Sequence, residues 1–88
     1  MVFEWDPAKS TENLRKHGFR LEDARVVFED ENRLEEFDDG DYGEERWITI
    51  GKLRSFLALV VYTERSRVIR LISARKAEPH EERRYYQR

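Results

Sequence analysis

The chain contains no cysteine and only two histidines, His17 and His80. The first absence excludes a disulfide framework and a thiolate zinc site. The second leaves too few imidazoles for a histidine-built metal centre, and no cofactor or metal is expected. Long apolar runs are missing as well. The longest, Phe56 to Tyr62, is far too short to span a bilayer. The first residues, MVFEWDPAKS, offer neither a basic n-region nor an apolar h-region. A cytoplasmic protein with no membrane contact is the expectation. Phosphate-binding GxxxxGK[ST], dinucleotide-binding GxGxxG and metalloprotease HExxH patterns are all absent from the sequence.

What is present is charge, unevenly placed. Charged residues make up 41% of the 88 residues and hydrophobic ones 39%. Strong aliphatic and aromatic runs remain to be buried, which excludes a disordered chain. The length suggests one small domain with a thin core. The net charge of −2 conceals a block at 21–45 with net charge −10 and a block at 65–88 with net charge +5. Local patches, not the overall balance, therefore govern what the surface attracts. A charge run by itself most often marks a solvated face. The alternative here is a basic working site beside an acidic face.

Hydrophobic periodicity and punctuation divide the chain into a β-α-α-β-β-β-β-α order. Val2 to Trp5 alternates as a short strand. Asp6-Pro7 supplies a helix N-cap and first position, and Gly18 the residue after its end. A second helix is expected over Leu21 to Phe28, with Ala24, Val27 and Phe28 on one face. Strands follow at Leu34 to Phe37, Trp47 to Gly51, Phe56 to Thr63 and Val68 to Ser73. Short connections such as Lys52 to Ser55 imply an antiparallel meander. Pro79 opens a last helix over 78–87. These elements predict an α+β fold, a curved antiparallel sheet with helices packed on one face.

Strict alternation along the last strand separates Val68, Arg70, Ile72 and Ala74 from Ile69, Leu71, Ser73 and Arg75. Arg70 is thus expected on the concave, less covered face. An isolated arginine there would be a packed stem with a paired head. Arg75 and Lys76 follow closely, however, and Arg46 opens a strand of the same meander. Several cations on one sheet face form a trap for phosphate. On the first helix, Lys9, Asn13 and Lys16 or His17 share one side, with Leu14 expected on the buried side. Lone histidines are more often structural than catalytic, but imidazole exchanges protons near neutral pH. Glu45 beside Arg46 could orient the arginine or accept a proton. Tyr85 and Tyr86 could pack on the sheet or stack on a base.

The segments FEWDPAKSTENLRKHG, ARVVFED, GEERWITIG, LVVYTERSRVIRLISARKA and EERRYY together resemble the BrnT toxin family across nearly the whole chain. The resemblance implies a cytoplasmic ribonuclease toxin of a bacterial type II toxin–antitoxin pair with a RelE-like fold. Its partner would be a BrnA-type antitoxin, which neutralises the toxin and represses the shared operon through a DNA-binding domain. The resemblance assigns no roles to individual residues. Metal-free RNA cleavage needs a proton acceptor, a proton donor and cations around the phosphorus. His17 or Glu45 is the expected proton-transfer group, and Arg46, Arg70 and Arg75 the expected phosphate clamp. Lys9, Lys16, Lys76 and Tyr85 are the expected RNA contacts. The rival reading is a basic sheet face that holds RNA or a protein without cutting it. A third is a regulatory protein that works through its acidic segment.

Overall fold

The computed structural model describes residues 1–40 and 43–88; Asp41 of the acidic block lies outside them. Five strands form one sheet in the order β1-β5-β4-β3-β2. They are β1 (Val2–Glu4), β2 (Leu34–Asp38), β3 (Arg46–Leu53), β4 (Phe56–Arg65) and β5 (Val68–Lys76). From β2 to β5 all neighbours are antiparallel, as their short connections require. The sheet is mixed only at its edge, where β1 lies parallel to β5. The long stretch of chain between those two strands removes the hairpin constraint.

Helix α1 (Pro7–His17) begins as the sequence predicts. The Asp6 carboxylate accepts the Ala8 N–H at 2.8 Å, and Pro7 takes the first position. It ends at Gly18, whose φ of 86° is the left-handed conformation that glycine adopts at least cost. The second helical segment, Leu21–Glu29, is a 3₁₀ helix and not an α-helix. Its apolar residues explain the difference. Leu21, Ala24 and Val27 recur every three residues, which matches three residues per turn, and all three are fully buried. Helix α2 (Pro79–Tyr86) closes the chain. None of the described helices is long and apolar enough to cross a membrane.

The fold is α+β, with a division of faces that periodicity alone did not give. The 3₁₀ helix and the segment after α1 cover one face, packing Phe19, Leu21, Ala24, Val27 and Phe28 against Ala58, Val60, Tyr62, Ile69 and Leu71. The one-face arrangement of helices holds for this N-terminal half. Helix α2 instead lies against the opposite face, where Tyr85 packs on Ile50, Leu57 and Leu59. The cause is the alternation of β4, whose even and odd residues are both apolar through Val61, so each face needs a cover.

The 3₁₀ helix lies close against β3 at Gly51. A Cβ added to Gly51 would meet Val27 Cγ1 at 2.9 Å and the Val27 carbonyl oxygen at 3.1 Å. Only a residue without a side chain lets the two elements approach so closely.

Candidate active site

β5 carries a bulge. Tyr62 pairs with Leu71 and Val61 with Ser73, so Ile72 is an extra residue without a partner on β4. The bulge inverts the expected alternation for the rest of the strand. Ile69 and Leu71 point into the core before it, and Ala74 does so after it. Ser73 and Arg75 therefore join Arg70 on the open face, opposite to the assignment that strict alternation gives. Lys76 is carried the other way, and its ammonium lies over the Phe56 ring at 4.9 Å.

Arg46 and Arg70 share one transverse row of the open face. Asp38 pairs with Arg46, Thr63 with Arg70, and Arg70 with Glu4. Carrying the β3–β4 register one residue past Trp47–Tyr62 sets Arg46 opposite Thr63. Two arginines flank the neutral Thr63 in this row, with a carboxylate at each end. Arg70 is paired with Glu4 at 2.6 Å, and both side chains are about half exposed. Such a pair contributes little and is easily exchanged for another anion. The Glu44 carboxylate approaches Arg46 at 3.9 Å and also pairs with Arg65 at 2.7 Å. Glu45 is exposed, and its backbone oxygen accepts the Thr63 hydroxyl at 2.7 Å.

Arg75 is held more firmly. Its two terminal nitrogens donate to the two carboxylate oxygens of Glu81 on α2, at 2.8 and 2.9 Å. Glu81 is buried and also accepts the Glu78 N–H. The Arg75 hydrogen bonds hold the Glu81 carboxyl below the usual carboxylate range, and the same pairing raises Arg75. Tyr85, expected to contact RNA, is buried instead, and its hydroxyl donates to Asp30 at 2.5 Å. Burial, reinforced by that carboxylate, pushes its phenol up to about 12.

Three of the predicted residues meet at the outer edge of β5. Lys9, Lys16 and His17 of α1 line a cavity of about 170 Å³ together with Ile72 and Ser73 at the bulge. The helix is pinned there by Asn13. Its side-chain amide donates to the Phe19 carbonyl at 2.8 Å and accepts the Ala74 N–H at 3.1 Å. This overturns the expected orientation of α1, since Asn13 and Ser10 are buried while Leu14 is 38% exposed. The helix covers a strand edge with backbone N–H groups to satisfy, so its inner side is polar. One turn earlier, Ser10 ties α1 to the start of the 3₁₀ helix, accepting the Leu21 N–H and donating to Glu22. The carboxylate in the cavity, Glu12, is drawn down to about 2 chiefly by its hydrogen bond from Arg15. It therefore stays ionised and is a poor proton acceptor.

The chain matches the family described as ribonuclease toxin, BrnT, of type II toxin–antitoxin system, over residues 5–81. It belongs to that family. No curated protein matches the chain. Membership makes this BrnT chain a ribonuclease toxin by family, with an antitoxin partner and an RNA target at that level of description. Two BrnT residues in the region escaped the sequence reading. Ser73 looked like a core-facing strand residue because the bulge leaves no mark in the sequence pattern. Glu81 looked like one more carboxylate of a charged helix; its spacing of six residues from Arg75 was the available signal. A larger cavity, about 610 Å³, lies between the N-terminal strand and the 3₁₀ helix. Its Glu22 and Glu29 make it unsuited to phosphate.

Proposed function

We propose that this BrnT chain is an endoribonuclease that cuts RNA without a metal ion at the seam between α1 and the β5 bulge. One observation carries the reading. His17 shares a cavity with two lysines and a serine hydroxyl, beside a sheet face that bears Arg46, Arg70 and Arg75. His17 takes the proton from a ribose 2′-hydroxyl or returns one to the leaving 5′-oxygen. The 2′-oxygen attacks the adjacent phosphorus, and the bond to the 5′-oxygen breaks. Lys9 and Lys16 balance the charge that builds on the phosphorane, and Arg70 exchanges Glu4 for a neighbouring phosphate. Glu45, set at the head of β3, is a weaker candidate for proton transfer than His17. A BrnA-type antitoxin covers this face in the cytoplasm and carries the pair to operator DNA through its own DNA-binding domain.

A second reading has an observation of its own. Arg75 is already neutralised by Glu81 and Arg70 by Glu4, which leaves both poorly placed to stabilise a phosphorane while the lysines beside His17 can still hold RNA uncut. Purified protein incubated with long single-stranded RNA in EDTA separates the two. Fragments from the wild type that are lost in His17→Gln support cleavage at the seam. RNA retained intact, with a steep decline as salt rises, supports the binding module. Fragments produced equally by His17→Gln remove His17 from the chemistry.

A further inference from the structure

The C-terminal helix ends in two adjacent tyrosines with opposite fates. Tyr85 is buried and tied to Asp30, whereas Tyr86 is 66% exposed. The rings meet edge to face with centroids 4.9 Å apart. A fixed ring therefore backs an exposed one, so Tyr86 is presented to solvent in a defined orientation. Tyr86 lines a cleft of about 240 Å³ with Lys52, Arg54 and Phe56 from the β3–β4 hairpin, and Glu82 is the carboxylate in its lining.

The hairpin turn holds a non-glycine residue in the left-handed region, as the β4–β5 turn does at Ser66 and Arg67. Arg54 has a φ of 55°, a left-handed conformation in the turn that glycine adopts at least cost. An arginine there is held at some cost in backbone strain, and such positions cluster where a side chain is used. The ion pair of the exposed Arg54 with the half-buried Asp23, at 3.6 Å, is long and adds little to hold it.

The cleft is tied to the end of α1 through the core. The chain runs from His17 through Gly18 to Phe19, whose ring lies 5.7 Å from that of Phe56. Phe56 carries Lys76 over its ring and also lines the Tyr86 cleft. Phe19 is buried, so its contact with Phe56 ties the end of α1 to the hairpin through the core, and Lys76 adds a cation beside the cleft-lining Phe56 ring.

We propose that the cleft between the β3–β4 hairpin and α2 is a second RNA subsite, in which Tyr86 stacks a base of single-stranded RNA while Lys52 and Arg54 hold the flanking phosphates. The subsite rests on the reading of the chain as an RNA-cutting enzyme and adds to it where the strand goes after it leaves the cut. Stacking on an aromatic ring tolerates any base, and the lysine and arginine track the backbone. The subsite therefore strengthens binding of long RNA without fixing its sequence.

The test compares Tyr86→Ala, Tyr86→Phe and the pair Lys52→Ala with Arg54→Ala against the wild type, using a dinucleotide and a long unstructured RNA. Tyr86→Ala should weaken binding of the long RNA and raise its KM by roughly 5- to 100-fold. Cleavage of the dinucleotide should be unchanged, and Tyr86→Phe should restore long-RNA binding because it keeps the ring. The double variant should also reduce the salt dependence of binding. Equal effects on both substrates, or none on either, would overturn the subsite. If the wild type cuts neither substrate, the enzyme reading fails, and fluorescence anisotropy with the long RNA still decides the cleft: loss in Tyr86→Ala supports it and unchanged binding removes it.

Discussion

The carboxylate of Glu81 on α2 grips the guanidinium of Arg75 on β5 through two parallel hydrogen bonds. The pair is asymmetric. The Glu81 side chain is 8% exposed and that of Arg75 35%. Breaking the pair from the arginine side leaves a buried carboxylate, whereas breaking it from the other side leaves a guanidinium that water can reach. Arg75→Ala should therefore cost about 3 kcal/mol of stability and Glu81→Ala about 1–2 kcal/mol. Urea unfolding of both variants checks the order; equal losses would show that burial of Glu81 is not what matters. Any loss of RNA cleavage in Arg75→Ala must be read against this lost stability.

Acid should loosen α2. Glu81 is held below its ordinary range by Arg75, and Asp30 is lowered by the Tyr85 hydroxyl and two backbone N–H groups, which outweigh its burial. A depressed carboxyl contributes stability above its unfolded value and loses it as pH falls through its folded value. Unfolding free energy should therefore drop below the ordinary carboxylate range, and the drop should shrink in Glu81→Gln. A pH profile unchanged by that substitution would contradict this account.

The alkaline end has the opposite sign. Tyr85 is pushed up to about 12, as is Tyr62 by its burial in the core. A phenol with a raised value stabilises the fold below its unfolded value, and that contribution disappears as pH rises through the folded one. Spectrophotometric titration should find these two tyrosines ionising late, and Tyr85→Phe should remove one late transition. That variant should also lose about 1 kcal/mol with the Asp30 hydrogen bond.

Gly51→Ala should destabilise the fold by about 1–3 kcal/mol, because the new methyl must displace the Val27 side chain and backbone from β3. The measurement is a thermal melt, with an expected fall of roughly 5–15 °C for a chain of this size. An unchanged melting temperature would mean that the 3₁₀ helix shifts freely over the strand.

Asn13→Ala tests whether α1 is anchored or merely adjacent. It removes the partners of the Phe19 carbonyl and the Ala74 N–H. The expected loss is about 2–4 kcal/mol. Hydrogen exchange should quicken at Ala74 before it does in the centre of the sheet. Uniform acceleration across the sheet would indicate global destabilisation without a local role.

Much of this architecture was legible in residue order. Asp6, Pro7 and Gly18 bounded α1 because caps are local chemistry, and the short connections after Gly43 gave the antiparallel strands. Parallel pairing of β1 was not legible, since nothing in Val2–Glu4 names its partner. Asn13 and Leu14 were exchanged between inside and outside because hydropathy expects an apolar interior, whereas α1 serves a strand edge that needs polar partners. Arg70 was placed on the open face correctly. The sequence leaves Tyr85 between packing on the sheet, which it does, and contacting RNA, because the distant Asp30 that satisfies its hydroxyl could not be anticipated.

The extra residue at Ile72 amounts to a parity rule. Arg70 and Arg75 are five positions apart, an odd number, which in an unbroken strand assigns them to opposite sides. One unpaired residue between them makes the count even. Were Ile72 instead to pair with β4 in regular register, with no residue removed, the chain would keep every charged side chain yet exchange the surroundings of everything from Ser73 to Lys76. Ala74 would turn outward, and Arg75 would be driven toward the apolar core. The makeup of the basic surface thus depends on a residue that carries no charge.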